Sequence, residues 1–212
     1  MAPNPLTWAG VPGNPDKMEQ EQMDEFKQLQ NEAMLRLRAG ANRRGFVRGV
    51  QASVLPSFDN CRTYELMFPA KLAKAPQSQR PASAWNEPSL AVRTLWRRST
   101  DAEKFSDPVV RLKHGVGMRL QPTIEDLDVN LDTESVSALL SRASELTVPP
   151  HILNYTFGLD GTGYELVFGQ LFVQSRFQWW CQAPAPWEPL SVLLQEIEMM
   201  VEGAIQARQK PL

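Results

Sequence analysis

Apolar residues recur at helical spacing in three places along this chain and alternate with polar ones in several others. The first helical pattern is Met18, Met23, Phe26, Leu29, Ala33 and Leu37, within a helix expected over Asp16 to Arg38. Its acids lie early and Arg36 and Arg38 lie late, which suits the helix dipole, and Gly40 is placed to end it. Val136, Leu139, Leu140, Ala143 and Leu146 form the second, capped by Asp132 or Thr133 and ended by Pro149-Pro150. The third is Leu190, Leu193, Leu194, Ile197, Val201, Ala204 and Ile205, with Pro189 in its first turn.

Between these lie the extended patterns. Phe46–Leu55, Arg62–Phe68 and Leu90–Trp96 read as strands. Val110 to Leu120 alternates against Arg111, Lys113 and Arg119, predicting a half-buried strand with a basic outer face. Leu127, Val129 and Leu131 alternate against Asp126, Asp128, Asn130 and Asp132, predicting one with an acidic outer face. Tyr155–Phe157 and Tyr164–Phe168 flank an Asp160-Gly161 turn and read as a hairpin. Leu171–Trp180 reads as a third strand, bent near Ser175 because Phe172 and Phe177 otherwise fall on opposite faces. Tyr164-Glu165-Leu166-Val167-Phe168 also echoes Tyr64-Glu65-Leu66-Met67-Phe68.

Three helices and seven or eight strands in runs, without strict alternation, predict an α+β fold with a mainly antiparallel sheet. Residues 1–15 carry four prolines and two glycines and read as an irregular arm; 16–212 read as one domain. The echo leaves a second arrangement open, two similar sheet-plus-helix halves with a sub-boundary near 121–151.

Composition narrows the function more by exclusion than by assignment. A net charge of −2 gives no global field for nucleic acid or anionic lipid. Arg36, Arg38, Arg43, Arg44 and Arg48 are basic neighbours without interleaved aromatics, so no nucleic-acid partner is expected. No apolar run reaches the ~20 residues a membrane helix needs, and MAPNPLTWAGVPGNP lacks the makeup of a secretory signal. Cytoplasmic residence is the expectation, with Cys61 and Cys181 as two buried, unpaired thiols.

No stretch carries a recognisable reaction centre. Asp126-x-Asp128-x-Asn130-x-Asp132 begins like a calcium loop but has Leu131 where glycine is needed and Ser137 where the bidentate Glu belongs. Neither a metal nor a cofactor is expected. Gly158–Gly163 lacks the Lys-Ser/Thr ending of a phosphate loop, and no Gly-x-Ser-x-Gly occurs. His114 falls in the apolar phase of its strand. Trp179, Trp180 and Trp187 either close the space between sheet and last helix or, where exposed, anchor a protein partner.

The run Asp160-Gly-Thr-x-Tyr-Glu-Leu, then Phe177-x-Trp-Trp, then Pro184-x-Pro-Trp187-x-Pro-Leu and a long helix resembles small bacterial proteins of the kind that act as immunity proteins beside polymorphic toxins. The likeness spans roughly Thr156 to Met200 and implies a cytosolic protein that neutralises a toxin by binding it. The expected function is a non-catalytic protein-binding module of this type. Its contact residues are expected at Glu125, Asp126, Asp128, Asp132, Trp179 and Trp180. The alternatives are a structural or adaptor subunit that self-associates through exposed Trp, and an enzyme with a scattered site near His114, Glu165 or Tyr164.

Overall fold

In the computed structural model, residues 15–70, 89–107, 109, 121–152, 160–170 and 173–209 are described. Helix α1 (Pro15–Ala39) leads to three strands, β1 (Phe46–Pro56), β2 (Cys61–Pro69) and β3 (Ser89–Trp96). Helix α2 (Arg98–Ser106), strand β4 (Ile124–Leu131) and helix α3 (Thr133–Glu145) follow. Strands β5 (Thr162–Gln170) and β6 (Val173–Trp180), a single 3-10 turn at Ala185–Trp187 and helix α4 (Glu188–Gln209) complete the described fold. The six strands form one sheet in the order β4-β3-β2-β1-β5-β6, every neighbour antiparallel.

The architecture is α+β, as the pattern predicts, with four helices among the described residues rather than three. The addition is α2, whose sequence has no apolar stripe and reads as a charged turn. It is held by tertiary contacts: Phe105 meets Phe26 of α1 at 5.3 Å between ring centroids, and Asp101 is buried. The two echoing segments do not head separate halves. They lie on β2 and β5, on either side of β1, so one sheet contains both. The bend expected near Ser175 is not there, since the β5–β6 register runs unbroken from Gly163↔Trp180 to Gln170↔Val173. The irregularity lies in β1 instead, between Arg48 and Val50. The alternating segment 110–120 with His114, the loop at 71–88 and the strand expected at Tyr155–Phe157 lie outside the described residues.

Helices cover both faces of the sheet. One face is apolar: Val50, Ala52, Val54, Leu66, Ala91, Val129, Leu131 and Leu166 pack against Val136 and Leu139 of α3 and the stripe Leu190–Ile205 of α4. Burial of such side chains contributes about 1.5–3 kcal/mol each. Trp179 and Trp187 are buried here, in the core role open to them, and Trp179 stacks on Tyr164 at 5.7 Å. A polar clamp fixes α4 on this face. Tyr64 donates to Glu202 at 2.9 Å, Arg93 pairs with Glu202 and Arg62 with Glu198. Burial pushes the Tyr64 phenol well above its ordinary range, so it stays a donor.

The other face meets α1 through Leu37 and Ala33, which pack with Cys61 and Trp96. Met23 of the expected stripe is exposed, because by that turn α1 no longer faces this cluster. Cys61 is buried as expected, with its thiol pushed up to about 11 by burial, whereas Cys181 is exposed in the bend after β6. No helix among the described residues is long and apolar enough to cross a membrane.

Asp132 caps α3 as the sequence proposes, accepting from the Ser135 N–H at 2.8 Å and its hydroxyl at 2.7 Å. The Ser135 bonds hold its carboxyl below the usual range. A depressed carboxylate stabilises above its unfolded value and loses that contribution as pH falls through the folded one. Asp132→Ala is therefore expected to lower the melting temperature at neutral pH. In thermal melts across pH, the gap should close in acid below the ordinary aspartate value of 3.8.

Candidate functional site: a cleft at the end of α1 beside a buried polar layer

Strand alternation places Gln51 and Ser53 of β1, Thr63 and Glu65 of β2, Thr94 of β3 and Glu165 of β5 on the face that α1 covers, and all six are buried. Such a layer persists only if its groups are hydrogen-bonded or ion-paired. The end of α1 supplies much of what it needs. Gly40 terminates the helix at φ +73, a conformation that glycine adopts freely, and its N–H still reaches Arg36 O at 3.2 Å. A Cβ there would also collide with the Glu65 carboxylate. The next N–H, of Ala41, donates to Glu65 at 2.5 Å. Arg48 donates to Glu65 and to Gln51, both at 3.1 Å, and Gln51 donates to the Leu37 carbonyl at 2.9 Å. Burial raises the Glu65 carboxyl above its ordinary value, and the Ala41 N–H and Arg48 pull it partly back.

Glu165, only 1% exposed, sits on the far side of β1, bonded by Gln178 and flanked by Arg38 at 3.6 Å and Arg176 at 3.7 Å. Glu65 is opposite Gln51 and Glu165 opposite Ser53, two strands and two residues apart. Sheet spacing then separates their backbones by about 12 Å. Each acid has its own arginine partners, Arg48 at Glu65 and Arg38 with Arg176 at Glu165. The layer is built to position α1.

Beside it, where α1 ends over β3 and β4, an open cleft of about 380 Å³ is lined by Arg36, Ala39, Gly40, Thr94, Ile124 and Asp126. Asp126 accepts from Thr94 Oγ1 at 2.8 Å and from Arg43 Nη2 at 3.4 Å. Arg43 then grips Asp128 with two nitrogens, at 2.8 and 2.7 Å, and these bonds hold its proton more tightly than usual.

Set against this geometry, the six residues expected to form one contact surface do not share one. Asp126 and Asp128 come together at Arg43, on the face toward α1. Glu125 shares the opposite face with Leu127 and Val129 and is bound by Arg97 at 2.9 and 3.1 Å, which keeps its carboxyl below the usual range. Asp132 is spent as a cap, Trp179 is core, and Trp180 is half-buried with its ring against the Gly161 and Gly163 backbone. Of the six, only Asp126 lines the cleft.

No protein family, curated protein or solved structure matches this chain.

Sequence reasoning named Glu165 only within the enzyme alternative and Gly40 only as a helix stop; it missed Arg36 and Thr94 as cleft walls and the burial of the polar layer. Two signals for them were present. Gly40 followed a helix whose last turn is basic, and the Tyr-Glu-Leu echo set a glutamate at the same phase of two strands.

Proposed function

We propose that this chain is a protein-binding module that receives a basic side chain of its partner in the cleft at Asp126. More narrowly, we read it as an immunity-type protein that neutralises a toxin by occluding it. The observation that carries the reading is the cleft's lining. Asp126 contributes a carboxylate, and the end of α1 at Ala39 and Gly40 contributes the negative pole of a helix of 25 residues. Arg36 on the rim is already paired with Glu32 at 2.7 Å. The volume is at the low end for a small-molecule site, and the walls are mixed, with Ala39, Gly40 and Ile124 beside Arg36, Thr94 and Asp126, where such sites favour a mostly apolar lining. One guanidinium or ammonium group on a protein surface suits it better.

The test begins with affinity capture from the native host, with the neighbouring open reading frame co-expressed, followed by binding kinetics on any stoichiometric partner. Asp126→Lys is expected to slow association about tenfold at low salt while circular dichroism stays unchanged, because a single reversed charge acts mainly on steering. An association rate equal to wild type would remove the cleft as the contact.

A further inference from the structure

Asp126 and Asp128 stand two residues apart on β4, so their side chains leave the strand on one face, about 7 Å apart. A single guanidinium can serve either, and Arg43 touches both. It divides itself unequally. Nε and Nη2 lie 2.8 and 2.7 Å from the two Asp128 oxygens, a bidentate clasp. Nη2 reaches Asp126 Oδ2 only at 3.4 Å, beyond the usual length of such a bond. The acids differ in what they have left to give. Asp126 Oδ1 is committed to the Thr94 hydroxyl at 2.8 Å, whereas Asp128 turns both oxygens to Arg43. The backbone of Asp128 is also pinned from α4, since Arg208 donates to its carbonyl at 2.8 Å.

Asp126 lines the cleft and Asp128 does not. Asp126 Oδ2 is therefore the acceptor left for a partner's basic group, and the cation already in contact with it is the chain's own Arg43. The Arg43 backbone is fixed in the turn after α1, where its carbonyl accepts from the Phe46 N–H at 3.1 Å. Only the side chain would have to swing for Arg43 to take Asp126 in full.

We propose that Asp128 is a positioning residue for the cleft: its clasp holds Arg43 away from Asp126 and keeps that carboxylate open to a partner. The proposal rests on Asp126 being the contact. Arg43 is then a built-in competitor, held in check by two-point bonding. Without the Asp128 carboxylate it swings to Asp126, and the cleft is filled from within. Losing one negative charge beside the cleft also weakens any cation there, but that effect is blind to which arginine is then removed. Arg44, exposed in the same turn, carries the same charge and supplies the comparison.

The probe is the blocked peptide acetyl-Gly-Arg-Gly-amide, titrated at low salt into the isotopically labelled full chain while the amide signals of Gly40, Thr94 and Asp126 are followed. The Asp128 side chain is 42% exposed, so Asp128→Asn should leave circular dichroism unchanged. It should weaken the probe about fivefold, the scale of one exposed ion pair. Arg43→Gln added to it should bring the affinity back to within about twofold of wild type, because the competitor is gone. Arg44→Gln added instead restores the same net charge and should leave the probe as weak as with Asp128→Asn alone. A crystal structure of Asp128→Asn reads the swing with no probe present and should show the Arg43 guanidinium on Asp126. Arg43 still at residue 128, or turned to solvent, overturns the proposal, and so does equal rescue by the two arginine variants. No shift at those amides in the wild-type chain overturns the cleft as a contact and this role with it, wherever Arg43 lies in the crystal.

Discussion

Replacing Arg48 by methionine is expected to destabilise the fold by up to about 3 kcal/mol at pH 7 and by much less near pH 4. Methionine keeps most of the arginine stem's packing, so the change isolates the guanidinium. What it removes is the donor to Glu65 and Gln51. Glu65 is 1% exposed and would keep only the Ala41 N–H. A buried carboxylate stripped of its cation does not stay charged; it takes up a proton. From an ordinary value of 4.5, doing so at pH 7 costs about 1.4 kcal/mol for each of 2.5 units, and because wild-type Glu65 is already raised and bears part of that cost, the sum is a ceiling on the loss. The direction with pH follows. A carboxyl whose folded value is raised has its full stabilising share below the unfolded value and loses it as pH rises through the folded one. Wild type and variant lose this share together from pH 4.5 up to the wild-type folded value, which is itself raised, and the gap between them opens as pH rises beyond it. Urea melts at several pH values read this directly. A difference that stays constant with pH would mean Arg48 acts through packing and Gln51 rather than through the Glu65 charge.

The place of Arg48 also explains which parts of the fold could be read in advance. Extended, β-prone runs between turn signals located all six described strands, and the 3.6-residue period located α1, α3 and α4, because in each helix the apolar stripe faces a core. The polar face under α1 was not legible. A period-two pattern assigns polar residues to solvent, and Gln51, Ser53, Thr63 and Glu65 conform to that pattern while being buried. Only the second layer, brought by a helix from earlier in the chain, reverses their environment. The same holds for the acidic strand. Its facing was correct at Asp126 and Asp128, but Arg43, more than 80 residues away, grips Asp128 with two nitrogens and reaches Asp126 at 3.4 Å. Charge pattern along one strand describes a field only when nothing else folds onto it. Of the expected contact residues, Asp126 alone lines the cleft, because Thr94 and the end of α1 are placed around it by the sheet order.

Helix α2 is the sharpest case of order imposed from outside, and it carries the second large effect. Asp101, 3% exposed, accepts from the Trp96 indole N–H at 2.9 Å, the Thr123 N–H at 2.8 Å and the Thr123 hydroxyl at 2.5 Å. Lys104 approaches the same carboxylate at 3.7 Å. One side chain thus ties the end of β3 to α2 and to the residue that leads into β4. Asp101→Ala leaves a buried indole N–H and a backbone N–H without an acceptor. Hydrogen bonds to a charged group contribute about 1.5–3 kcal/mol each and are not additive within one network. A total loss of about 3–5 kcal/mol is expected, a large share of the ~5–15 kcal/mol of a typical domain. Asp101→Asn keeps one carbonyl oxygen but aims an N–H₂ at one of the donors, so it should fall between Ala and wild type. The signature is spatial as well as energetic. Hydrogen exchange should rise first in Arg98–Ser106 and at the β3–β4 pairing, since α2 has no apolar stripe to hold it once Asp101 is gone. Exchange rising evenly across the sheet would instead make Asp101 part of one global core, and α2 as stable as the strands it joins.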